Sequence, residues 1–175
     1  MRKRIDIICP GCKNKERATV YDELGVDSLN SVLDRSKFIH ECSKCKQKTV
    51  LDYSFKFEGH GYKILYTTDK TREKGFKRIC TSFKDTKEKI MIFEDGLNDI
   101  LIEYFKVYIQ KQISKKDELR YDGIVDDTIC FYDVDSLETL GVKKELYDYF
   151  LNKFKIKDID DVEVNNETFI KYIKK

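Results

Sequence analysis

Tryptophan is missing from the 175 residues, proline and alanine occur once each, and histidine only twice. With no Trp, the ring mass of any core must come from 11 Phe and 11 Tyr. No apolar run approaches the roughly 18 residues that a membrane-spanning helix needs. The opening Met1-Arg2-Lys3-Arg4 leads only to Ile5, Ile7 and Ile8 around Asp6, which does not read as a secretion signal. Neither sign of charge dominates: 34 basic residues face 32 acidic ones, so no global field draws the chain to nucleic acid or membrane. A glycine-rich phosphate loop, a Gly-x-Ser-x-Gly elbow, a His-Glu-x-x-His helix and a carboxylate-rich calcium loop are all absent. Those gaps remove the motif-based case for nucleotide binding, serine hydrolysis, zinc proteolysis and calcium binding.

What is present is a globular composition, 41% apolar and 38% charged, in a chain long enough to bury its own core. Six cysteines without a secretion signal point to thiolate chemistry in a reducing cytoplasm rather than to disulfides. Four of them form two Cys-x-x-Cys turns, Cys9-Pro10-Gly11-Cys12 and Cys42-Ser43-Lys44-Cys45. Two intervening residues let one tight turn aim two sulfurs at a single ion, so a pair of such turns completes a tetrahedral four-thiolate shell. The expected cofactor is therefore a structural Zn2+ held by Cys9, Cys12, Cys42 and Cys45. Four thiolates at this spacing also suit iron, which is the second choice of metal. A full sulfur shell leaves no position for water, which argues against zinc catalysis. A dithiol redox turn would need a helix starting at residue 12, where no helical period begins. Replacement of one ligand by His40 is a further alternative. Lys13 and Lys46 follow the second cysteine of each turn, where glycine is often found.

Hydrophobic period places the other elements. Residues 4–8 and 16–23 read as strands flanking the first turn, and Asp27 or Ser28 as the cap of a short helix through Leu29, Val32 and Leu33. Leu51, Tyr53, Phe55 and Phe57 alternate with polar residues, which predicts one strand over 49–57. Glu58-Gly59-His60-Gly61 predicts a hairpin turn into a strand over 62–66, and another strand is expected over 76–81. Ser82 with Asp85 resembles a capping box, and Gly96 interrupts the helix it opens. From Leu97 to Ile113 the steps of three and four residues give an apolar stripe expected to pack on the sheet. Residues 114–123 are polar enough for a linker. Beyond them come a hairpin arm with a strand over 128–132, a helix marked by Leu146, Tyr149, Phe150 and Phe154, and a closing helix capped by Asn166. Cys80 and Cys130 are expected in the core. His60, Glu94-Asp95, Asp126-Asp127 and residues 158–161 read as solvated surface.

The Ile7-Ile8-Cys9-Pro10-Gly11-Cys12 start, the second cysteine turn and the segment Glu88-Lys-Ile-Met-Ile-Phe-Glu-Asp-Gly-Leu-Asn-Asp99 together resemble the CpXC family of small bacterial and archaeal proteins. The likeness covers residues 5 to about 113. It implies a zinc-binding domain over 1–113; the polar run over 114–123 then reads as a linker to an α/β extension over 124–175. It assigns no catalytic residue. The expected fold is α+β: an N-terminal zinc-ribbon-like element joined to an antiparallel sheet packed by helices.

Residues 1–50 carry 11 basic against 7 acidic side chains, while the rest carry 23 against 25. The metal end is thus the basic end. Lys13, Lys15, Arg17, Lys44, Lys46 and Lys48 form its expected binding surface, with a protein partner as the leading reading and the metal purely structural. The same lysines touching phosphates would make a weak, salt-dependent nucleic-acid binder. An enzyme with its site between the sheet and the helix of residues 97–113, with His60 or an acidic pair at its mouth, is the third reading.

Overall fold

The computed structural model describes residues 2–69, 73–113 and 118–174. Its fold is α+β, with a four-cysteine cluster in a zinc-ribbon-like N-terminal element. Strands β1 (Arg2–Ile8) and β2 (Lys15–Tyr21) form an antiparallel hairpin whose tip is the first cysteine turn. After β3 (Glu23–Gly25) comes the single turn of α1 (Leu29–Leu33). Neither Asp27 nor Ser28 caps α1 with its side chain, and the Ser28 carbonyl instead accepts from the Ser31 hydroxyl at 2.9 Å. A second short hairpin, β4 (Ile39–Glu41) with β5 (Lys48–Val50), carries the other cysteine turn.

The strand expected over 49–57 is two strands. β5 runs out of partner at Val50, because β4 begins at Ile39, and the chain then crosses to a different sheet as β6 (Phe55–Glu58). The alternation survives the crossing: Phe55 and Phe57 are buried, while Leu51 donates its amide to the Phe38 carbonyl at 2.8 Å. β6 pairs antiparallel with β7 (Lys63–Tyr66), and β8 (Arg78–Cys80) joins parallel to β7, giving the order β3-β6-β7-β8. In the turn between β6 and β7 only Gly61 takes a positive φ, of 83°.

Helix α2 (Phe83–Glu94) starts where the sequence places it, with Ser82 Oγ accepting from the Asp85 amide at 3.3 Å. It ends in a Schellman turn: Gly96 at φ 68° lets its amide reach Phe93 O at 3.0 Å and lets Leu97 N reach Ile92 O at 2.9 Å. Asn98 then caps α3 (Asp99–Gln112) by accepting from the amides of Ile100 and Leu101. A three-stranded antiparallel sheet follows, built of β9 (Leu119–Val125), β10 (Thr128–Asp133) and β11 (Thr139–Lys143), and then α4 (Lys144–Lys153). Strands β12 (Lys155–Ile156) and β13 (Ile173–Lys174) close the chain as a small pair.

Two corrections concern the C-terminal third. The linker expected over 114–123 is in its second half the strand β9, with Leu119 and Tyr121 in the core; residues 114–117 lie outside the described residues. Leu119 and Tyr121 alternate with charged residues in the second half of this polar-looking run, which suits a half-buried strand better than a solvated spacer. The closing helix is a single 3-10 turn, Phe169–Tyr172, and Asn165 rather than Asn166 supplies the side-chain acceptor ahead of it, for the amides of Glu167 and Thr168. One core spans both sides of the expected linker. Leu101, Ile102, Phe105 and Ile109 of α3 pack on Leu119, Tyr121, Ile129, Phe131, Val142 and Tyr147, so the α3 stripe faces the β9–β11 sheet. The four-stranded sheet has its own ring-rich cluster, with Phe38, Phe55, Phe57 and Tyr66 under Ile90 of α2.

Candidate metal centre

Each cysteine turn is built from its own backbone. In the first, Cys9 N donates to Asn14 O at 2.9 Å and Lys13 N to Cys9 O at 3.0 Å; in the second, Cys42 N donates to Gln47 O and Lys46 N to Cys42 O, both at 3.0 Å. The two turns are therefore copies of one geometry. Lys13 and Lys46 both sit in the left-handed region, at φ 57° and 62°. The positions where glycine was missing do need the glycine conformation, and the lysines adopt it at a cost. Lys46→Gly is accordingly expected to raise ribbon stability by up to about 1 kcal/mol, because the αL penalty on an L-residue exceeds the chain entropy that glycine adds. Thermal melts of the metal-loaded protein check it, and a fall in the midpoint would contradict it.

The turns bring all four sulfurs within 4.8 Å of one another, and the Cys9–Cys45 and Cys12–Cys42 pairs approach to 3.6 Å. A tetrahedron of metal–sulfur bonds of about 2.3 Å has sulfur–sulfur edges of about 3.8 Å. Cys9 and Cys42 are buried, Cys12 is half-buried and Cys45 is exposed. The electrostatics ask for a cation. The Cys12 amide, with that of Gly11 behind it, brings the Cys9 thiol down to about 6 against the effect of burial. The equivalent Cys45 amide pulls on Cys42, but burial, the Glu16 carboxylate and Cys12 outweigh it and push Cys42 up to about 12. One thiolate is easily held; a set of four is unfavourable until a positive ion sits between them. The donor set thus fits a thiophilic metal ion, and Cys9, Cys12, Cys42 and Cys45 are the residues that would hold it. When bound, the ion cross-links the two hairpins.

The chain matches no family model, no curated protein and no solved structure.

The remaining residues singled out in the sequence fall around this centre or away from it. His40 is outside the sulfur cluster, with Nε2 3.2 Å from Glu16 Oε1. Glu16 ties β2 to the second turn by accepting from the Ser43 amide at 3.1 Å, and Ser43 first and His40 after it hold its carboxyl down at about 2. No helix starts at Cys12, where the chain turns back into β2. Lys13, Lys15, Arg17, Lys44, Lys46 and Lys48 are all exposed, and only Arg17 has an ion-pair partner among the described residues, Asp6 at 3.2 Å. Cys80 is buried, whereas Cys130 is only half-buried, because the core-facing residues of β10 are its neighbours Ile129 and Phe131.

Several of the charges expected on the surface are structural. Glu94 accepts from the Tyr62 hydroxyl at 2.6 Å and faces His60 Nδ1 at 2.9 Å, Asp95 accepts from the Tyr121 hydroxyl, and Asp161 accepts from the Phe76 amide at 2.8 Å. Buried tyrosine hydroxyls and strand amides need acceptors, and these carboxylates supply them. His60, Asp158 and Asp160 are exposed as read, and so are Asp126 and Asp127, which form a two-residue hairpin turn with positive φ at both.

Sequence reasoning missed a buried charge network altogether. Arg78, Glu88, Lys89, Asp99, Glu103 and Lys106 are all buried, on β8, α2 and α3. Its signal was present: Asp99, Glu103 and Lys106 fall at steps of four and three on a helix whose other positions are largely apolar. The enzyme reading placed a site between the sheet and residues 97–113, with His60 or an acidic pair at its mouth. The apolar stripe there is filled, and His60 stands at the β6–β7 hairpin on Glu94. An open cavity lies instead on the charged flank of α3, where Glu103 and Lys106 meet α2 and β9.

Proposed function

We propose that the chain is a zinc-ribbon recognition module in which Zn2+ on Cys9, Cys12, Cys42 and Cys45 is purely structural, and that the surface it fixes docks an acidic, partly apolar segment of a protein partner. The observation that carries this reading is the exposure of six cations on the two cysteine-bearing hairpins beside uncovered apolar side chains. Ile39 and Val50 face each other across β4–β5 at 45% and 51% exposure, and Ile8 next to Cys9 is 60% exposed. Apolar residues among cations suit an acidic peptide with hydrophobic anchors better than a bare phosphate backbone. A four-sulfur shell closed to water supports a scaffold role, and free thiols of this kind suit a reducing cytoplasm. No helix among the described residues is long and apolar enough to cross a membrane. The likeness to the CpXC family is retained as part of this proposal; its diagnostic Phe93–Asn98 stretch is the Schellman turn and cap that join α2 to α3.

The test compares the native protein with Lys44→Glu/Lys46→Glu as baits in extract from its own cells, with metal content measured in both. A partner held by the native bait, bound by an isolated acidic segment and lost from the variant supports the reading. Equal retention by both baits overturns it. RNA or duplex DNA bound tightly at low salt and released with a steep salt slope would move the function to nucleic acid.

A further inference from the structure

The buried network closes over a cavity of about 190 Å³ between α2, α3, β9 and the segment at Asn165. Its floor is Glu88 and Lys89 of α2 with Glu103 and Lys106 of α3, all four buried. Charges in such a place are a poor way to stabilise a fold, since well-packed apolar residues do as well or better. Ionisable groups that converge on a cavity more often serve a ligand.

The hydrogen-bond inventory shows what the cavity still offers. Glu103 Oε1 accepts from both Lys89 Nζ at 2.8 Å and Lys106 Nζ at 3.1 Å, and Glu103 Oε2 has no partner among the described residues. Lys106 has two contacts, with Glu103 Oε1 and, at 2.7 Å, with Glu88 Oε1, so one of its three N–H donors remains. Arg120 gives its terminal nitrogens to Asp85, Glu88 and Glu118, while its buried Nε has no partner. Residues three apart on a helix are neighbours, so one free acceptor and one free donor stand side by side. At the mouth the half-exposed Asp85 and Glu118 make the opening negative.

From this we infer that the cavity binds a small zwitterion of α-amino-acid size. The ammonium group enters past Asp85 and Glu118 and is held by Glu103 Oε2; the carboxylate accepts from Lys106 Nζ. The volume corresponds to about six waters at roughly 30 Å³ each, which admits a backbone and a short side chain and excludes nucleotides and peptides. A plain amine leaves Lys106 unsatisfied, and a plain carboxylate leaves Glu103 so, which is the source of selectivity.

The full metal-loaded chain is to be titrated calorimetrically with the free α-amino acids, each up to about 5 mM, with thermal melts in parallel because a ligand of the folded state raises the midpoint by mass action. At least one is expected to bind, with its decarboxylated amine and its deaminated acid each at least about tenfold weaker, the equivalent of one lost polar contact. Glu103→Gln and Lys106→Met should abolish the heat. Asn166→Trp, at the exposed rim, leaves every ion pair in place and should block binding at unchanged stability and metal content. No heat from any amino acid, equal binding of the amine alone, or undiminished binding by Asn166→Trp would each overturn the inference.

Discussion

Cys42→Ser is expected to open the two cysteine-bearing hairpins to protease while α2, α3 and the β9–β11 sheet stay protected. The reason lies in how little else holds the ribbon. No residue of β1 belongs to an apolar core cluster, and of β2 only its last residue, Tyr21, packs against one. Besides the sulfurs, the turns are joined by the Glu16–Ser43, Glu16–His40 and Asn14–Ser43 contacts, which are exposed or half-buried. Losing one ligand removes both the ion and the neutralisation that lets the other thiolates coexist, and Cys42 is the sulfur most unwilling to ionise without it. The core begins at Phe38, whose ring packs on Tyr53, Phe55 and Phe83, so unzipping should stop there. Amide exchange before and after chelation reads the same boundary: residues 2–20 and 39–50 should lose protection entirely, while Leu101 and Phe105 change by less than about threefold, as expected of a separate cooperative unit. Exchange that rises uniformly through α3 would show the metal to be the keystone of the whole fold, and the scaffold role proposed for the ribbon would have to be redrawn.

That boundary also marks what the sequence made legible. Both cysteine turns, the Ser82 cap and the Gly96 stop depend on interactions within about six residues, and short-range chemistry of this kind can be read directly from spacing. The strand over 49–57 failed because alternation records which residues face a core but not which strand they pair with. Lys48–Val50 and Phe55–Glu58 keep one alternation and belong to different sheets. The acidic run was misread for a related reason. Glu94 and Asp95 close a helix and look solvated, yet their partners Tyr62 and Tyr121 arrive from another turn and another strand. Nothing local announces such partners. The helix itself held the one clue, since an α3 apolar round most of its circumference leaves its charged stripe nowhere to go but inward.

Asp99→Asn is expected to destabilise the protein by about 3–5 kcal/mol, the usual cost of leaving a buried charge without its counter-ion. Asp99 takes a bidentate pair from Arg78, with Nε at 2.7 Å and Nη2 at 2.6 Å, and Lys89 Nζ stands 3.3 Å from the same carboxylate. Both partners of the main pair are essentially sealed, at 1% and 0% side-chain exposure, so solvent does not screen it. The pair joins β8 to the start of α3, and Arg78 also donates to Ile159 O at 2.9 Å, which fastens the C-terminal segment to the same point. For a chain of this size the loss corresponds to a fall of about 10 °C in the melting midpoint. The sign of the pH dependence follows from the carboxyl. Burial raises its pKa, but Lys89 and Arg78 outweigh burial and leave it below the ordinary aspartate value. A depressed folded pKa contributes stability that is fully present above about pH 4 and is lost as pH falls through the folded value. Urea titrations of native protein and Asp99→Asn should therefore differ most at neutral pH and converge in acid. Arg78→Met/Asp99→Leu should recover much of the loss, because removing both charges also removes their desolvation cost. A neutral-pH difference below about 1 kcal/mol, within the range of an exposed pair, would mean that water reaches Arg78 and Asp99 and that the joint between the two cores rests on apolar packing alone.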